Sequence, residues 1–475
     1  MRGSLDDTIV APATAAGAAG LAVVRLSGAD AIGIGARLFR GAALTSSPSH
    51  HAHHGFVVDA EGERVDEVLA LVLRGPRSYT GEDTVEFSCH GSPQVVDEVV
   101  DAALRAGARL AEPGEFTRRA FLNGKLDLSQ AEAVADLVEA QTRAARRAAL
   151  EQLRGQLSSR LHPTRELLLG MLAEIEASLD FVEEGIEFIG AAEAQRRGDT
   201  ARAAVAALLA TADEGVLLRS GIRISLAGAP NVGKSSLFNC IVRNPRSIVT
   251  EHAGTTRDVV RETLRLGGLL MELEDTAGLR ATTNDPVEAI GIERSRQSHR
   301  EADLLLLVLD AGRMPQAEET AAVQGAGTAV IVALNKVDLL RPDERRDLLA
   351  ETGAARRFLA ARGCAIPETI AVQAVSAETR EGVDPLLDTL LQHASRRRLA
   401  LQNDALVAIN QRHREVLLRA QAALADFDRA LAGGEPPEIL AADLRRAVAA
   451  LGEISGEQVS EEILDRIFSR FCIGK

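Results

Sequence analysis

The chain has 475 residues, enough for about three domains of ordinary size. Hydrophobic residues make up 46% and charged residues 26%, a balance that excludes a disordered chain. Lysine and arginine number 54 against 68 aspartates and glutamates, so the net charge of −14 disfavours unaided binding to bare nucleic acid while leaving room for a local basic patch.

Residues Ile9 to Val24 are uncharged, but Asp6 and Asp7 precede them and Pro12, Gly17 and Gly20 interrupt them. That pattern predicts two short strands around a glycine turn rather than a secretory signal. Leu21 to Leu26 and Thr84 to Cys89 have strand composition, and the second alternates cleanly. Ser129-Gln130-Ala131-Glu132 reads as a capping box opening a helix through Ala133 and Val138. Helical sequence then continues to about Val216, with breaks expected near Pro163 and from Gly185 to Gly190.

From Gly221 to about His393 the pattern is strand, glycine-rich loop and helix in alternation. Its longest aliphatic run, Leu304 to Leu309, has the length of a buried strand, well short of the ~18 residues a membrane-spanning helix needs. Helical composition returns from Leu399. Two helix-rich stretches thus flank an α/β block, either as one helical domain with an insertion or as adjacent bundles. Cys89, Cys240, Cys364 and Cys472 are far apart and form no CxxC pair, which argues against zinc and disulfides and fits a reducing cytoplasm. The histidines at 50, 51, 53 and 54 read as a loop or strand edge rather than a metal site.

Gly228-Ala229-Pro230-Asn231-Val232-Gly233-Lys234-Ser235 fits GxxxxGKS, after the strand Ile222 to Ala227 and before a helix opening at Ser236. In that context backbone N–H groups converge on a phosphate, the helix N-terminus adds a favourable field, and Lys234 meets the β/γ oxygens. The Ser235 hydroxyl is placed to ligate Mg²⁺. Downstream, Asn335-Lys336-Val337-Asp338 follows the strand Val330 to Leu334. A carboxylate at Asp338 can accept from guanine N1–H and N2, a donor pair adenine lacks, while Lys336 lays its methylenes along the purine. Ser376, Ala377 and Glu378 resemble the loop that reads guanine O6. The set selects GTP.

Between these motifs lie Thr255-Thr256 and Asp275-Thr276-Ala277-Gly278. Thr256 is the natural second hydroxyl ligand of Mg²⁺, Asp275 holds the ion through water, and the Gly278 N–H senses the γ-phosphate. Glu274, where an apolar residue is usual, is expected at most to tilt the strand end. Leu279 stands where Ras-type GTPases carry a water-orienting glutamine. The side-chain oxygen of Asn231 could hold a monovalent cation against the β/γ bridge, or the residue could be a turn former. Glu288 could orient water; on spacing alone a solvated helix carboxylate is the plainer reading.

Outside the phosphate motifs stand Ser78-Tyr79-Thr80-Gly81-Glu82-Asp83, Pro113-Gly114-Glu115-Phe116-Thr117, Ala120-Phe121-Leu122-Asn123-Gly124-Lys125-Leu126-Asp127, and the terminal Phe471-Cys472-Ile473-Gly474-Lys475. With these the chain resembles the MnmE/TrmE family of tRNA-modification GTPases nearly end to end. The resemblance implies an α/β multidomain fold: an α+β folate-binding and dimerising domain (1–124), a discontinuous α-helical domain (125–219 and 395–475) and an inserted Ras-like P-loop GTPase domain (220–394). It implies that Asn231, Thr250, His252 and Thr255 coordinate K⁺, and that Glu288 is the catalytic glutamate, since Val287-Glu288-Ala289-Ile290-Gly291-Ile292-Glu293 matches the family. Arg25, Glu86, Lys125 and Lys475 would contact a 5-formyl- or 5,10-methylene-tetrahydrofolate. Cys472 would serve near that folate or anchor the amphipathic helix Glu462 to Phe471 in the core.

The resulting expectation is a cytoplasmic, homodimeric, K⁺-activated GTPase acting with an FAD-dependent partner of the MnmG (GidA) type in a heterotetramer. Together they would place a carboxymethylaminomethyl or aminomethyl group at C5 of the wobble uridine of tRNA. Folate supplies the carbon, glycine or ammonium the amine, FAD enters only through the partner, and the partner carries most of the tRNA binding. The rival expectation is a ribosome-assembly GTPase, but the sequence has one phosphate loop, no clear KH-type clamp and no basic tail. A membrane-linked signalling GTPase lacks an anchor.

Overall fold

The computed structural model describes residues 7–180, 190–249, 260–275, 302–316, 319, 329–351, 353–398 and 409–475. The chain divides into two compact units. One comprises Met1–Glu139, Ala149–Ala210 and Arg412–Lys475; the other comprises Ala140–Ala148 and Thr211–Gln411.

In the first unit, β1 (Ile9–Pro12), β2 (Ala19–Ser27), β3 (Phe39–Arg40), β4 (His51–Val58), β5 (Arg64–Leu73), β6 (Thr84–Gly91) and β7 (Arg109–Leu110) form one sheet. Its order is β3-β4-β5-β6-β2-β1-β7, antiparallel except for the β1–β7 edge. Period-two alternation sends Val85, Phe87 and Cys89 of β6 inward with Val24 and Leu26 of β2. The helices Ala31–Leu38 and Pro93–Arg105 cover that face with Ile32, Ile34, Val99 and Ala103. Glu86, Ser88 and His90 take the opposite face.

The helical part of this unit joins segments from both sides of the second unit. Arg165 pairs with Glu457 at 2.6 Å and Arg445 with Glu176 at 2.7 Å, linking the helix Gln156–Asp180 to the region of Pro437–Ser455. An insertion, not a pair of adjacent bundles, is therefore the arrangement adopted. Two local expectations are corrected. The capping box lies at Asp127 and Gln130, not at Ser129 and Glu132: Asp127 Oδ1 accepts the Gln130 N–H at 2.8 Å, and Gln130 Oε1 accepts the Asp127 N–H at 2.9 Å. Pro163 does not break its helix, which runs from Gln156 after a turn at Gly155 (φ +82°). Leu157, Leu161, Leu168 and Met171 are all buried along it. Burying those side chains outweighs the ~3 kcal/mol that an interior proline costs.

The terminal helix is Glu461–Phe468, capped by Ser460 and ending before Phe471. Leu464, Phe468 and Phe471 are buried against Leu128, Ala131 and Val134, whereas Cys472 is exposed and anchors nothing in that core. The histidine tract is a turn and the start of β4; His54 pairs with Glu67 at 2.6 Å. Among the described residues no cluster of His, Cys, Asp and Glu is arranged to hold a metal.

In the second unit, β8 (Ile222–Ala227), β9 (Ile248–Val249), β10 (Val260–Leu266), β11 (Leu269–Asp275), β12 (Leu304–Asp310), β13 (Ala329–Asn335) and β14 (Ala371–Ala374) form a sheet in the order β14-β13-β12-β8-β11-β10-β9. The five strands from β14 to β11 run parallel, and β10 is antiparallel to its neighbours. Leu304, Leu306 and Val308 of β12 enter one core, while Leu305, Leu307 and Leu309 enter another on the opposite face. A parallel sheet covered on both sides explains the unbroken aliphatic run. Glu274 is in register with Ser225 and Arg261, so the ladder continues through it to Asp275. No helix among the described residues is long and apolar enough to cross a membrane.

Candidate functional site

The phosphate loop leaves β8 and enters the helix Lys234–Val242 through three residues of positive φ, Gly228 (+137°), Asn231 (+66°) and Gly233 (+95°). The two glycines are required by space as well. A Cβ on Gly228 would lie 2.3 Å from Val308 O, and one on Gly233 would lie 2.3 Å from Asn335 Nδ2. Lys234 Nζ donates to the carbonyls of Gly228 (2.8 Å) and Ala229 (2.9 Å), which holds the ammonium over the loop. Ser235 and Ser236 are exposed in the first helical turn, and Val232 is buried beneath it. Ser235 thus presents a hydroxyl beside a helix N-terminus, a donor set suited to Mg²⁺ and phosphate.

The strand ends carry the second half of the site. Asn335 acts as a strut: its Nδ2 donates to Val232 O at 2.9 Å and its Oδ1 accepts the Ala377 N–H at 3.1 Å. Lys336, itself at φ +64°, donates to Asn231 O at 2.6 Å and to Asp310 Oδ2 at 2.8 Å. Asp338 Oδ1 accepts from Ser376 Oγ at 2.5 Å. The structure therefore brings the phosphate loop, Asn335 to Asp338 and the Ser376–Ala377 loop into one constellation; Glu378 is exposed at its rim. Asp310 was not anticipated from sequence. Its position opposite Asn335 at the end of β12 is a product of strand register.

Asp275 closes β11 opposite Leu226, so its backbone lies beside the strand that feeds the phosphate loop. Thr250, His252, Thr255, Thr256, Thr276, Ala277, Gly278 and Glu288 lie outside the described residues.

A second constellation belongs to the first unit. Arg25 and Glu86 face each other across β2 and β6, and Arg25 Nε donates to Glu86 Oε1 at 2.7 Å. The guanidinium carbon lies 5.6 Å from the ring centres of both Tyr79 and Phe116. Burial raises the pKa of the Tyr79 hydroxyl, which bonds to Thr117 Oγ1 at 2.9 Å. Lys125 does not join the Arg25–Glu86 pair; its Nζ donates to Pro76 O at 2.9 Å, on the loop that leads to Tyr79. Lys475 follows Gly474, which sits against β1 so closely that a Cβ there would be 1.9 Å from Pro12 O. Ala11, the neighbour of Pro12, pairs with Arg25. Cations, a carboxylate and two aromatic faces are a donor set that fits a pterin with an anionic tail.

Sequence reasoning missed the charged network beneath this region. Arg119, 1% exposed, binds Asp7, Glu82 and Glu115, and Arg109 binds Asp7 and Glu115. A cavity of about 370 Å³ opens beside it, lined in part by Gly28, Glu82, Asp83, Arg119 and Asn123. The spacing of Glu115 and Arg119 is visible in the sequence; their meeting with Asp7 and Glu82 is not.

A family model described as "MnmE helical domain" matches residues 128–472, and one described as "GTP-binding protein TrmE N-terminus" matches residues 8–125. The chain is 46% identical over 475 residues to the "tRNA modification GTPase MnmE" of Symbiobacterium thermophilum, covering 99% of this chain and 100% of that one. The protein of the same name from Moorella thermoacetica is 43% identical over 478 residues, with 99% and 100% covered. That of Roseiflexus castenholzii is 44% identical over 478 residues, with 99% of each chain covered.

Proposed function

The chain belongs to the MnmE/TrmE family of tRNA modification GTPases, and from that premise we propose the particular reaction it serves. It is a GTP hydrolase acting in tRNA modification. The reaction we assign is K⁺-activated GTP hydrolysis coupled to modification of the wobble uridine at C5, with a tetrahydrofolate derivative as one-carbon donor. An FAD-dependent protein of the MnmG type is the partner, and the chain works as a cytoplasmic homodimer joined through its N-terminal domain. The product carries a carboxymethylaminomethyl or aminomethyl group.

The observation that carries this reading is the seating of the C-terminal tail on β1. Gly474 is seated on Pro12, one residue from the position paired with Arg25, and Arg25 is bonded to Glu86. GTP hydrolysis needs neither the tail nor that pair. A one-carbon site in the first unit gives both a purpose, with Arg25 and Lys475 offered to anionic groups and Glu86 to ring N–H donors, while Lys125, bonded to Pro76 O, would have to leave that carbonyl to take part. When bound, the folate would supply the carbon that reaches the uridine.

For the metals, the exposed Ser235 hydroxyl suits Mg²⁺, with Thr256 as the second ligand. Asn231 supports a K⁺ role because its carbonyl is bound by Lys336 while its side-chain amide makes no hydrogen bond among the described residues. The experiment is calorimetric titration of 5-formyltetrahydrofolate into the full chain and into Arg25→Ala. Binding to the first and at least tenfold weaker binding to the second is expected. Equal binding to both would remove Arg25 from the site.

A further inference from the structure

Glu319 is a buried carboxylate, 4% exposed, that the reaction assigned above does not use. Its Oε1 accepts the main-chain N–H of Ala229 at 3.1 Å. Its Oε2 accepts the Gln316 N–H at 2.8 Å and Arg313 Nη1 at 3.0 Å, and Arg313 Nη2 pairs with Oε1. Burial alone would raise the pKa of this carboxyl; the bonds from Arg313, Gln316 and Ala229 hold it below the ordinary carboxylate range.

The N–H of Ala229 and the carbonyl of Gly228 belong to one peptide group. A peptide is planar, so fixing one end of that group fixes the other. Glu319 holds the N–H, and the Gly228 carbonyl accepts the Lys234 ammonium at 2.8 Å. Gly228 holds a φ of +137°, and Val308 O lies where a Cβ would stand, so only glycine keeps this peptide in place. Without that acceptor, the half-buried Ala229 N–H would lose its partner, and the peptide would be free to rotate towards another one. Such a rotation would carry away the carbonyl that aims Lys234.

We propose that Glu319 is a positioning residue for phosphate binding, orienting the Gly228–Ala229 peptide and through it the Lys234 ammonium. The inference rests on the GTPase reading of the loop. It attributes the effect to the reach of the side-chain oxygen and not to its charge. The substitution Glu319→Asp would keep the charge near Arg313, but the carboxylate, one methylene shorter, would fall short of Ala229. Glu319→Asp should therefore behave like Glu319→Ala. Glu319→Gln keeps an oxygen at full reach.

The test is GDP affinity of the full-length wild type and the three variants, measured by titration calorimetry where circular dichroism shows each folded. Melting temperatures without nucleotide are recorded alongside. Glu319→Ala and Glu319→Asp should bind GDP about tenfold more weakly, the loss expected when one partly buried hydrogen bond to a carboxylate no longer positions the site. Glu319→Gln should stay within about threefold of wild type although its melting temperature falls, because Arg313 has lost its carboxylate. A purely structural residue would instead make affinity follow melting temperature, with Glu319→Gln as weak as Glu319→Ala. That result, or wild-type affinity in Glu319→Ala, would overturn the proposal. Failure of the wild type itself to bind GDP would overturn the GTPase reading beneath it.

Discussion

Ser376 Oγ donates to Asp338 Oδ1 at 2.5 Å, tying the loop after β14 to the loop after β13. The same hydroxyl accepts the Thr379 N–H at 3.0 Å, so the group that orients Asp338 is itself held in place. An oriented carboxylate presents acceptors in fixed directions, which is what discrimination between guanine and other purines requires.

Asp338→Asn replaces one acceptor oxygen with a donor amide, which opposes the guanine N2 amino group and suits the carbonyl of xanthine. GTP affinity should fall on the order of a hundredfold, and XTP hydrolysis should appear. Parallel turnover assays with GTP and XTP check this; unchanged GTP affinity would separate Asn335 to Asp338 from the base site.

Stability should depend on one buried acid in the first unit. Glu132 binds Arg412 at 2.8 Å and lies 2.7 Å from Nε2 of His413, which is 0% exposed. Burial alone would raise the pKa of Glu132, but the charges and hydrogen bonds of His413 and Arg412 hold it far below the usual carboxylate range. Because the folded pKa is depressed, the contribution is fully present above the ordinary value near 4.5 and is lost as pH falls below it towards the folded value. Glu132→Ala should cost about 3–5 kcal/mol at neutral pH, because it removes the carboxylate that Arg412 and the buried His413 face. Urea unfolding of the first unit at pH 7 and pH 4 should show the gap between wild type and variant narrowing in acid.

The strands and the phosphate loop were legible because each is written locally. Alternation in Thr84 to Cys89, the aliphatic run at Leu304 and the glycines at 228 and 233 need only near neighbours to be read. What was not legible joins distant residues. Glu132 meets His413, Arg119 meets Asp7, and Glu319 meets Ala229 only after the fold is made. The helix around Pro163 shows the same limit, since local propensity there is overruled by burial on both sides of the proline. Ser129 and Glu132 have the spacing of a capping box, yet Asp127 with Gln130 has it too, and packing of Glu132 against Arg412 decides between them.

Hydrolysis should require K⁺ rather than Na⁺, since Leu279 offers no glutamine and Asn231 is the cation ligand proposed. Turnover in matched KCl and NaCl at saturating GTP is the comparison, and equal rates would remove the cation mechanism. In K⁺, Glu288→Ala should lower kcat by about a hundredfold or more with little change in nucleotide affinity, as expected for a group that acts in the transition state.

The tail can be displaced by a single methyl group. Gly474 has φ +93° and its added Cβ would sit 1.9 Å from Pro12 O, so Gly474→Ala must move the last residues off β1. Binding of 5-formyltetrahydrofolate should weaken, while basal GTP hydrolysis, which depends on the second unit, should be unchanged.

The most direct measurement is nucleoside analysis of tRNA from a strain lacking this protein, before and after complementation. The C5 substituent of the wobble uridine should be lost on deletion, restored by the wild-type chain, and not restored by Lys234→Ala or Arg25→Ala. A wobble uridine fully modified in the deletion strain would contradict the assignment.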